Sequence, residues 1–373
     1  MRITFFLLIL FHALIHLAGF SKAFNLEHTN IIVQNISRIF GIFWLTAGAL
    51  FMVAAFLFYL KKSLWMLFSI MAICLSQYLV VVYWPEAKLA TIINAIILFG
   101  TILGFAEWNF STKYNKQVRA SLKLTPLEPL NLLTGAEIQD LPWPVKKYLR
   151  YSGAIGKPKV KNFKVKLSGQ LRQRAKAEWM PFTSGQYSFI NTSTRLFFLY
   201  ATMKHLPVTG FHCFKNGKAF MDIRLLSMFR IQYQSGKEMD ISETVTFFND
   251  MCCLAPATLI DERIQWLETN GNKVHASFTN NCITISAWLH FNEEGELINF
   301  ISEDRYATEG KKLIRLPWST PLKQYKEFDD RKVAFYADAV YTYPDGDFSY
   351  GNFRVESIEY NVLKMEDSPI LNH

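Results

Sequence analysis

The chain has 373 residues, of which 50% are hydrophobic and only 19% are charged. Soluble domains carry about 25% charged residues, so this composition favours a membrane protein. The length allows one large soluble domain beside a membrane portion and excludes a mini-protein that needs disulfides. The net charge of +9 is not concentrated in a lysine and arginine stripe, so we expect no nucleic-acid partner.

Four apolar runs occupy the N-terminal part of the chain. They are Ile3–Phe20, Ile39–Leu60, Leu64–Tyr83 and Leu89–Phe105, and each is close to the ~20 residues that a helix needs to cross ~30 Å of hydrocarbon. The first run has the basic start of a signal peptide, but it is followed by a poor cleavage site, so we expect a retained helix. Residues 1–110 are therefore predicted to form four transmembrane helices.

The loop charges predict the orientation in the membrane. An even number of spans puts both termini on one side. The basic residues on that side are Arg2, Lys61, Lys62, Lys113, Lys116, Arg119 and Lys123, and those on the other side are Lys22, Arg38 and Lys88. Because cytoplasmic loops carry the excess of lysine and arginine, we expect a multi-pass inner-membrane protein with a cytoplasmic C-terminal domain.

Polar residues inside the apolar runs are candidates for function, because an unpaired polar group in lipid is costly. His12 and His16 are four residues apart, so they share one face of a helix and are a candidate pair of metal ligands. The alternative is that both histidines, with Gln77 and Asn94, form hydrogen bonds between helices. No cofactor is expected.

The rest of the chain is predicted to be a linker, 111–133, followed by an antiparallel β domain, 134–373. Val145, Tyr148 and Leu149 share one face of a predicted helix near 143–151. A second helix is predicted near 241–254, capped by Asp240 or Ser242. Alternating apolar and polar residues, separated by turn sequences, predict strands at 160–167, 171–180, 186–191, 195–202, 209–215, 218–223, 228–234, 273–279, 282–292, 297–306, 321–327, 333–343 and 352–361.

Several runs in this second part carry a family resemblance. They include LPWPVKKYLRYSGAIGKP (141–158), EWMPFTSGQY (178–187), FNDMCCLAPATLI (248–260) and YPDGDFSYGNFRVESIEY (343–360). Together with HALIHLAGFSKAF (12–24) in the first apolar run, they resemble a widespread bacterial family of membrane-anchored domains of unknown function. The resemblance implies a WMPFT-type β domain after four membrane helices, and it implies no particular activity.

More loosely, WSTPLKQYKEFDDRKVAFYADAVYTY (318–343) is similar to lipoprotein carriers of the periplasmic LolA kind. That resemblance implies a curved antiparallel sheet wrapped round helices, with acyl chains held between them. The chain departs from the pattern at 327–330, where Glu-Phe-Asp-Asp replaces a turn that usually contains Asp-Gly. We therefore expect an α+β membrane protein, with a four-helix transmembrane bundle followed by a half-barrel-like antiparallel sheet and one or two packed helices.

Five apolar side chains are the candidate ligand-binding residues. Trp179, Met180 and Phe182 cluster round a proline, and Phe189 and Phe198 follow in the next predicted strands. On a curved sheet they would line a concave face that accepts an apolar molecule. The alternative is that they form the core.

Acidic and histidine side chains supply weaker candidates for catalysis. Glu238 and Asp240 are two residues apart and are a candidate acid and base, although acids in this position also stabilise a helix start. His205 and His212 have no carboxylate nearby in the sequence, so we expect structural or solvent-exposed roles. No set of nucleophile, base and orienting group is recognisable.

These observations predict a membrane-anchored binding protein whose β domain accommodates a lipid or other apolar ligand, with the lipid bilayer as its other partner. One alternative is a membrane-bound lipid-modifying enzyme that uses Glu238, Asp240 or the His12 and His16 pair. The other is a structural module that docks a protein partner.

Overall fold

The computed structural model describes residues 2–26, 34–125, 131–309 and 312–365. The chain divides into two compact units, Met1–Phe110 and Ser111–His373, which are considered one at a time.

The first unit consists of helices. They are α1 (Arg2–Ala23), α2 (Arg38–Tyr59), α3 (Trp65–Val82), a short α4 (Trp84–Ala87) and the part of α5 (Ala90–Lys123) that precedes residue 111. The four helices α1, α2, α3 and α5 are long and apolar enough to cross a membrane, as the apolar runs predict. Small residues let them pack closely, since Gly48 lies against the backbone of Ala13 and Gly19 against the ring of Trp44.

Helix α5 does not end with its apolar run. Residues 111–123, which we expected to belong to a linker, continue the same helix. Residues 126–130 of that expected linker lie outside the described residues.

The second unit is built on one sheet. Its strands are β1 (Asn162–Leu171), β2 (Met180–Phe189), β3 (Thr194–Met203), β4 (Leu206–Lys215), β5 (Lys218–Leu225), β6 (Phe229–Ser235), β7 (Ile264–Asn270), β8 (Lys273–Asn280), β9 (Ile283–Phe291), β10 (Leu297–Glu309), β11 (Lys312–Phe328), β12 (Arg331–Tyr343) and β13 (Gly346–Tyr360). Their order is β6-β5-β4-β3-β2-β1-β13-β12-β11-β10-β9-β8-β7. Two meanders, β1 to β6 and β7 to β13, therefore meet where β1 pairs antiparallel with β13.

Short turns set this antiparallel order. At the β11–β12 hairpin, where the LolA resemblance implies an Asp-Gly turn, Asp329 and Asp330 have positive φ angles of 48° and 59°. Aspartate tolerates this backbone region better than most residues, so the hairpin closes without glycine. The sheet is also strongly curved. Gln234 Nε2 on β6 donates to Thr308 Oγ1 on β10 at 2.5 Å, although the two strands are far apart in the strand order.

Helix α7 (Lys237–Leu254) and a 3₁₀ turn (Pro256–Ile260) connect β6 to β7, which are the two edges of the sheet. The helix packs against strands of both meanders and so lies across the concave face. Its Phe248 ring stacks on Phe278 and meets Phe300 edge-on, with centroid distances of 5.1 and 5.6 Å. Helix α6 (Trp143–Tyr151) is attached to α7 by the Tyr148 hydroxyl, which donates to the carbonyl of Cys252 at 2.9 Å.

The predicted fold class is confirmed, with corrections to individual elements. The strand predicted at 171–180 is wrong, because residues 172–179 form the loop between β1 and β2. Charged residues occupy every second position, and the positions between them hold mostly small or polar side chains, which give a sheet little apolar surface to bury. Helix α7 begins at Lys237 with Gly236 as its N-cap, so Asp240 lies inside the helix and does not cap it. Strand β7 was not predicted.

Candidate functional site

A cavity of about 1050 Å³ lies between the concave face of the sheet and helix α7. This volume is at the upper end of the range for small-molecule sites. Much of the wall is aliphatic or aromatic, with contributions from Leu167, Leu199, Val208, Ile223, Leu322 and Phe353. The wall also includes exposed residues of β6 and β10, such as Ile231 and Thr308. The cavity therefore reaches the surface near these two strands.

Strand alternation decides which side chains face this cavity. On β3, Arg195, Phe197 and Leu199 line it, and on β4, Val208 and His212 do so. The intervening residues of each strand point to the opposite face. One charged side chain in an otherwise apolar strand therefore comes to lie at the cavity wall.

A buried ion-pair cluster occupies one region of the wall. Arg195 donates through Nε to Asp250 at 2.7 Å and through Nη1 to Glu243 at 3.2 Å. Gln186 donates through Nε2 to the same Asp250 oxygen at 2.7 Å. Both carboxylates belong to α7, of which 15 of 18 residues are buried. Because a buried charge is tolerated only when it is paired and hydrogen-bonded, Arg195 and these two acids fasten α7 to the sheet.

Arg305 on β10 is a second cavity-wall guanidinium with a different environment. Its Nε donates to the Tyr341 hydroxyl at 3.1 Å, and its Nη1 donates to the Ser242 carbonyl at 3.2 Å and to the Thr246 hydroxyl. The guanidinium carbon lies 4.4 Å from the ring centre of Trp318. Arg305 forms no ion pair within the part of the chain that the structure describes.

His212 lines the cavity with these two arginines. Burial and the positive charges of Arg195 and Arg305 lower the pKa of His212 from 6.5 to about 3. The imidazole is therefore neutral at physiological pH. We expected a structural or exposed histidine here, and no sequence pattern indicated that two arginines would face it.

The five predicted ligand-binding residues are placed on different surfaces. Met180 lines the cavity. Phe182 is buried on the same face, with its ring 5.3 Å from that of Phe353. Trp179 precedes β2 and stacks on Arg172, at 4.3 Å from ring centre to guanidinium carbon.

Phe189 and Phe198 lie on the face of the sheet that points away from the cavity. Phe198 contacts Tyr114 of helix α5, with centroids 5.4 Å apart, and the Tyr114 hydroxyl donates to the carbonyl of Gly185 at 3.1 Å. Their neighbours Gln186, Phe197 and Leu199 line the cavity instead. Both rings are buried on that face, so they do not line the cavity.

Sequence reasoning missed the polar residues that cluster at the cavity wall, among them Gln186, Arg195, Glu243, Asp250 and Arg305. A signal was present in the β3 sequence TRLFFLYATM, where a lone arginine shares the alternation phase of Phe197 and Leu199. A second signal was the presence of two acids within an otherwise well-buried helix. A charge at a core position requires a partner, and the partner has to come from another element.

The candidate acid and base pair on α7 is not brought together. Glu238 is exposed, whereas Asp240 is buried and accepts from the backbone amide of Ala219 at 2.7 Å and from Lys218 at 2.9 Å. Neither residue lines the large cavity. Asp240 holds the β4–β5 hairpin against α7, which gives it a structural role.

The histidine pair in α1 belongs to a hydrogen-bond network between helices. His12 Nε2 lies 2.9 Å from Asn94 Oδ1, and His16 Nε2 lies 2.9 Å from Ser76 Oγ. Asn94 also donates to Gln77 at 3.1 Å. Among the residues described, no group of three or more His, Cys, Asp or Glu side chains is arranged to hold a metal ion. These contacts match the interpretation of the polar residues as links between helices.

The fold defines the class of protein. It is an α+β protein with four apolar helices, followed by a curved antiparallel sheet whose concave face is closed by a helix. The sequence family described as "Family of unknown function (DUF6544)" matches residues 131–353, more than half of the chain. The chain therefore belongs to DUF6544, and the resemblance to a family of unknown function is confirmed. A comparison with curated proteins gave no significant match.

Solved structures that match this chain include a LolA superfamily protein from Nitrosomonas europaea and a DUF1329 family protein from Desulfovibrio piger. The first is 9% identical with a TM-score of 0.33, covering 59% of this chain and 93% of the other. The second is 8% identical with a TM-score of 0.32, covering 61% of this chain and 96% of the other. The first of these proteins belongs to the superfamily that the loose sequence resemblance names.

Proposed function

We propose that the protein is a membrane-anchored binding protein whose β domain takes up a lipid or another apolar ligand. We further propose that it resides in the inner membrane as a multi-pass protein with a cytoplasmic C-terminal domain. The observation that carries the binding proposal is the cavity of about 1050 Å³ between α7 and the concave face, with a largely apolar wall.

The energetics are favourable for an extended apolar ligand. Burying an acyl chain gains about 0.8 kcal/mol per methylene, so about ten methylenes would gain roughly 8 kcal/mol before the cost of ordering the chain. The ordering cost reduces this gain, and we expect the remainder to retain the ligand through purification. The four apolar helices bring the chain to a membrane, where such ligands are concentrated.

The proposal is tested on the full-length protein, purified in mild detergent and analysed by native mass spectrometry and lipid extraction. We expect a bound apolar molecule in the wild type. Ala337→Trp adds an indole inside the cavity and should reduce the occupancy severalfold. Tyr336→Trp is the matched control, because Tyr336 is the adjacent residue of β12 and does not line the cavity.

A wild-type protein that is always free of ligand would contradict the proposal and favour the docking module. Equal loss of ligand in both variants would also contradict it, because the cavity would not then be the site of binding. Melting curves of the two variants separate lost binding from lost folding.

A further inference from the structure

The polar residues of the cavity indicate the chemistry of the ligand's head. On the premise of the proposed function, we propose that the ligand is an amphiphile with an anionic head, a carboxylate or a phosphate, and that Arg305 holds this head while the apolar wall takes the chain.

Arg195 has no need of an anionic ligand. Its guanidinium is bonded to both Asp250 and Glu243 at hydrogen-bond distances, and its side chain is only 9% exposed. The two carboxylates neutralise it within the protein itself. An added anion beside Arg195 would meet two negative charges already in place.

Arg305 differs in its hydrogen-bond partners, although the negative charge of Glu243 acts on it as well. Its acceptors are a tyrosine hydroxyl, a threonine hydroxyl and a backbone carbonyl, which are all uncharged. Its Nη2 donates no hydrogen bond to any described residue, and this nitrogen is not among the enclosed polar atoms that lack a partner. Since Arg305 lines the cavity, its Nη2 is available to the cavity space.

The geometry holds this guanidinium ready for a ligand. Trp318 covers one face of it, and three acceptors fix Nε and Nη1. The orientation is thus set before binding, which reduces the entropy lost when a ligand pairs with it. A planar guanidinium with free N–H groups suits a carboxylate or phosphate, and charge-assisted bonds of this kind are stronger than neutral ones.

The charges around this part of the cavity favour an anionic ligand. His212 lies on the same wall, and the positive charges of Arg195 and Arg305 contribute to keeping it neutral. Beyond these groups the wall continues as Leu199, Ala201 and Val208, which accept an acyl chain.

The test uses the full-length protein in phosphatidylcholine nanodiscs, with empty nanodiscs subtracted. The probes are radiolabelled decanoate, decyl phosphate, decanol and decylamine, which share a chain length and differ in the head. We expect decanoate or decyl phosphate to bind at least about tenfold more tightly than decanol. The tighter of the two identifies the head as a carboxylate or a phosphate.

Arg305→Gln should lower the affinity for the anionic probe to that of decanol and leave decanol binding unchanged. Arg172→Gln is the matched control: Arg172 lines the same cavity and also donates to uncharged acceptors, the carbonyls of Ser349 and Ala175, but its bond to Ala175 is exposed, so water and salt screen its charge. Arg305→Lys keeps the charge without the planar fork and should retain part of the preference. The comparison of the four probes on the wild-type protein needs no variant. It therefore tests the preference for an anionic head even if Arg305→Gln does not fold.

Equal binding of decanol and the anions by the wild type would overturn the inference and leave the binding function in place. An equal loss in Arg172→Gln and Arg305→Gln would overturn the assignment to Arg305. No binding of any probe would overturn the proposed function itself.

Discussion

The buried carboxylate of Asp240 stabilises the fold through its hydrogen bonds. It accepts from the amide of Ala219 at 2.7 Å and from Lys218 at 2.9 Å, and the Lys218 side chain is 83% exposed. An exposed lysine contributes little to such a pair. The bond to the buried amide of Ala219 is the one that matters, because nothing else replaces it if the carboxylate is removed.

Asp240→Ala should therefore lower the free energy of unfolding by about 2 kcal/mol, since it leaves a buried amide without an acceptor. Glu238→Ala, two residues earlier and exposed, should cost well under about 1 kcal/mol. Thermal unfolding of the full-length variants measures both. Equal effects would show that the hydrogen bond to Ala219 does not stabilise the domain.

His212 should make stability depend on pH. Its pKa is about 3 in the folded protein and 6.5 as an ordinary histidine, so below pH 6.5 the unfolded chain binds a proton that the folded chain does not. The contribution of His212 to the free energy of unfolding is complete above pH 6.5 and falls as the pH drops towards 3. Between pH 7 and 5 the loss from this group is about 2 kcal/mol. His212→Gln should flatten the dependence by that amount in melting curves across this range. An unchanged slope would show that folding does not lower the pKa of His212.

We expect His12 and His16 of α1 to stabilise the packing of the helices and not to bind a metal ion. Both Nε2 atoms lie within hydrogen-bond distance of Asn94 or Ser76. His16→Ala should destabilise the helices by roughly 1 kcal/mol, the usual scale of a bond between membrane helices. Elemental analysis should show no stoichiometric metal that disappears in His12→Ala/His16→Ala. Such a metal, if found, would revive the enzyme alternative.

At the scale of elements, the sequence predicted what depends on local pattern. The apolar helices follow from hydropathy, and most strands follow from alternation and turn residues. The loop at 172–179 was misread, because its charged alternation imitates a strand when no neighbour is considered.

The cavity could not be predicted in the same way. Alternation shows that Phe197 and Phe198 point to opposite faces, but it does not show which face is concave. That depends on the curvature of the whole sheet and on α7 crossing it. The pairing of Arg195 with Glu243 and Asp250 likewise joins residues about 50 positions apart, and no local rule links them.

The pairing of β1 with β13 depends on close backbone contact at Gly169. A Cβ placed on this residue would lie 1.9 Å from the carbonyl oxygen of Asn352 on β13. Gly169→Ala should therefore force the strands apart and cost about 1–3 kcal/mol. Gly135→Ala is the control, since a Cβ there meets nothing within 4 Å. Identical melting temperatures for the two variants would show that the strands adjust without cost.

At the scale of the whole molecule, the orientation in the membrane is the prediction with the widest consequences. The basic loop residues predict a cytoplasmic C-terminal domain. A reporter that is active only in the cytoplasm, fused after His373, should give a signal, and one that is active only outside should give none. The reverse result would refute the orientation and would place the domain in the compartment of the periplasmic carriers.

The junction of the two meanders also determines the order of events during synthesis. β13 follows every other strand in the chain, yet it occupies the middle of the sheet beside β1. Partners this far apart in sequence pair slowly. Until β13 emerges from the ribosome, β1 and β12 each keep an unpaired edge, and such edges recruit other chains. A nascent or C-terminally shortened chain is therefore expected to depend on chaperones and to aggregate, although most of its strands are already present.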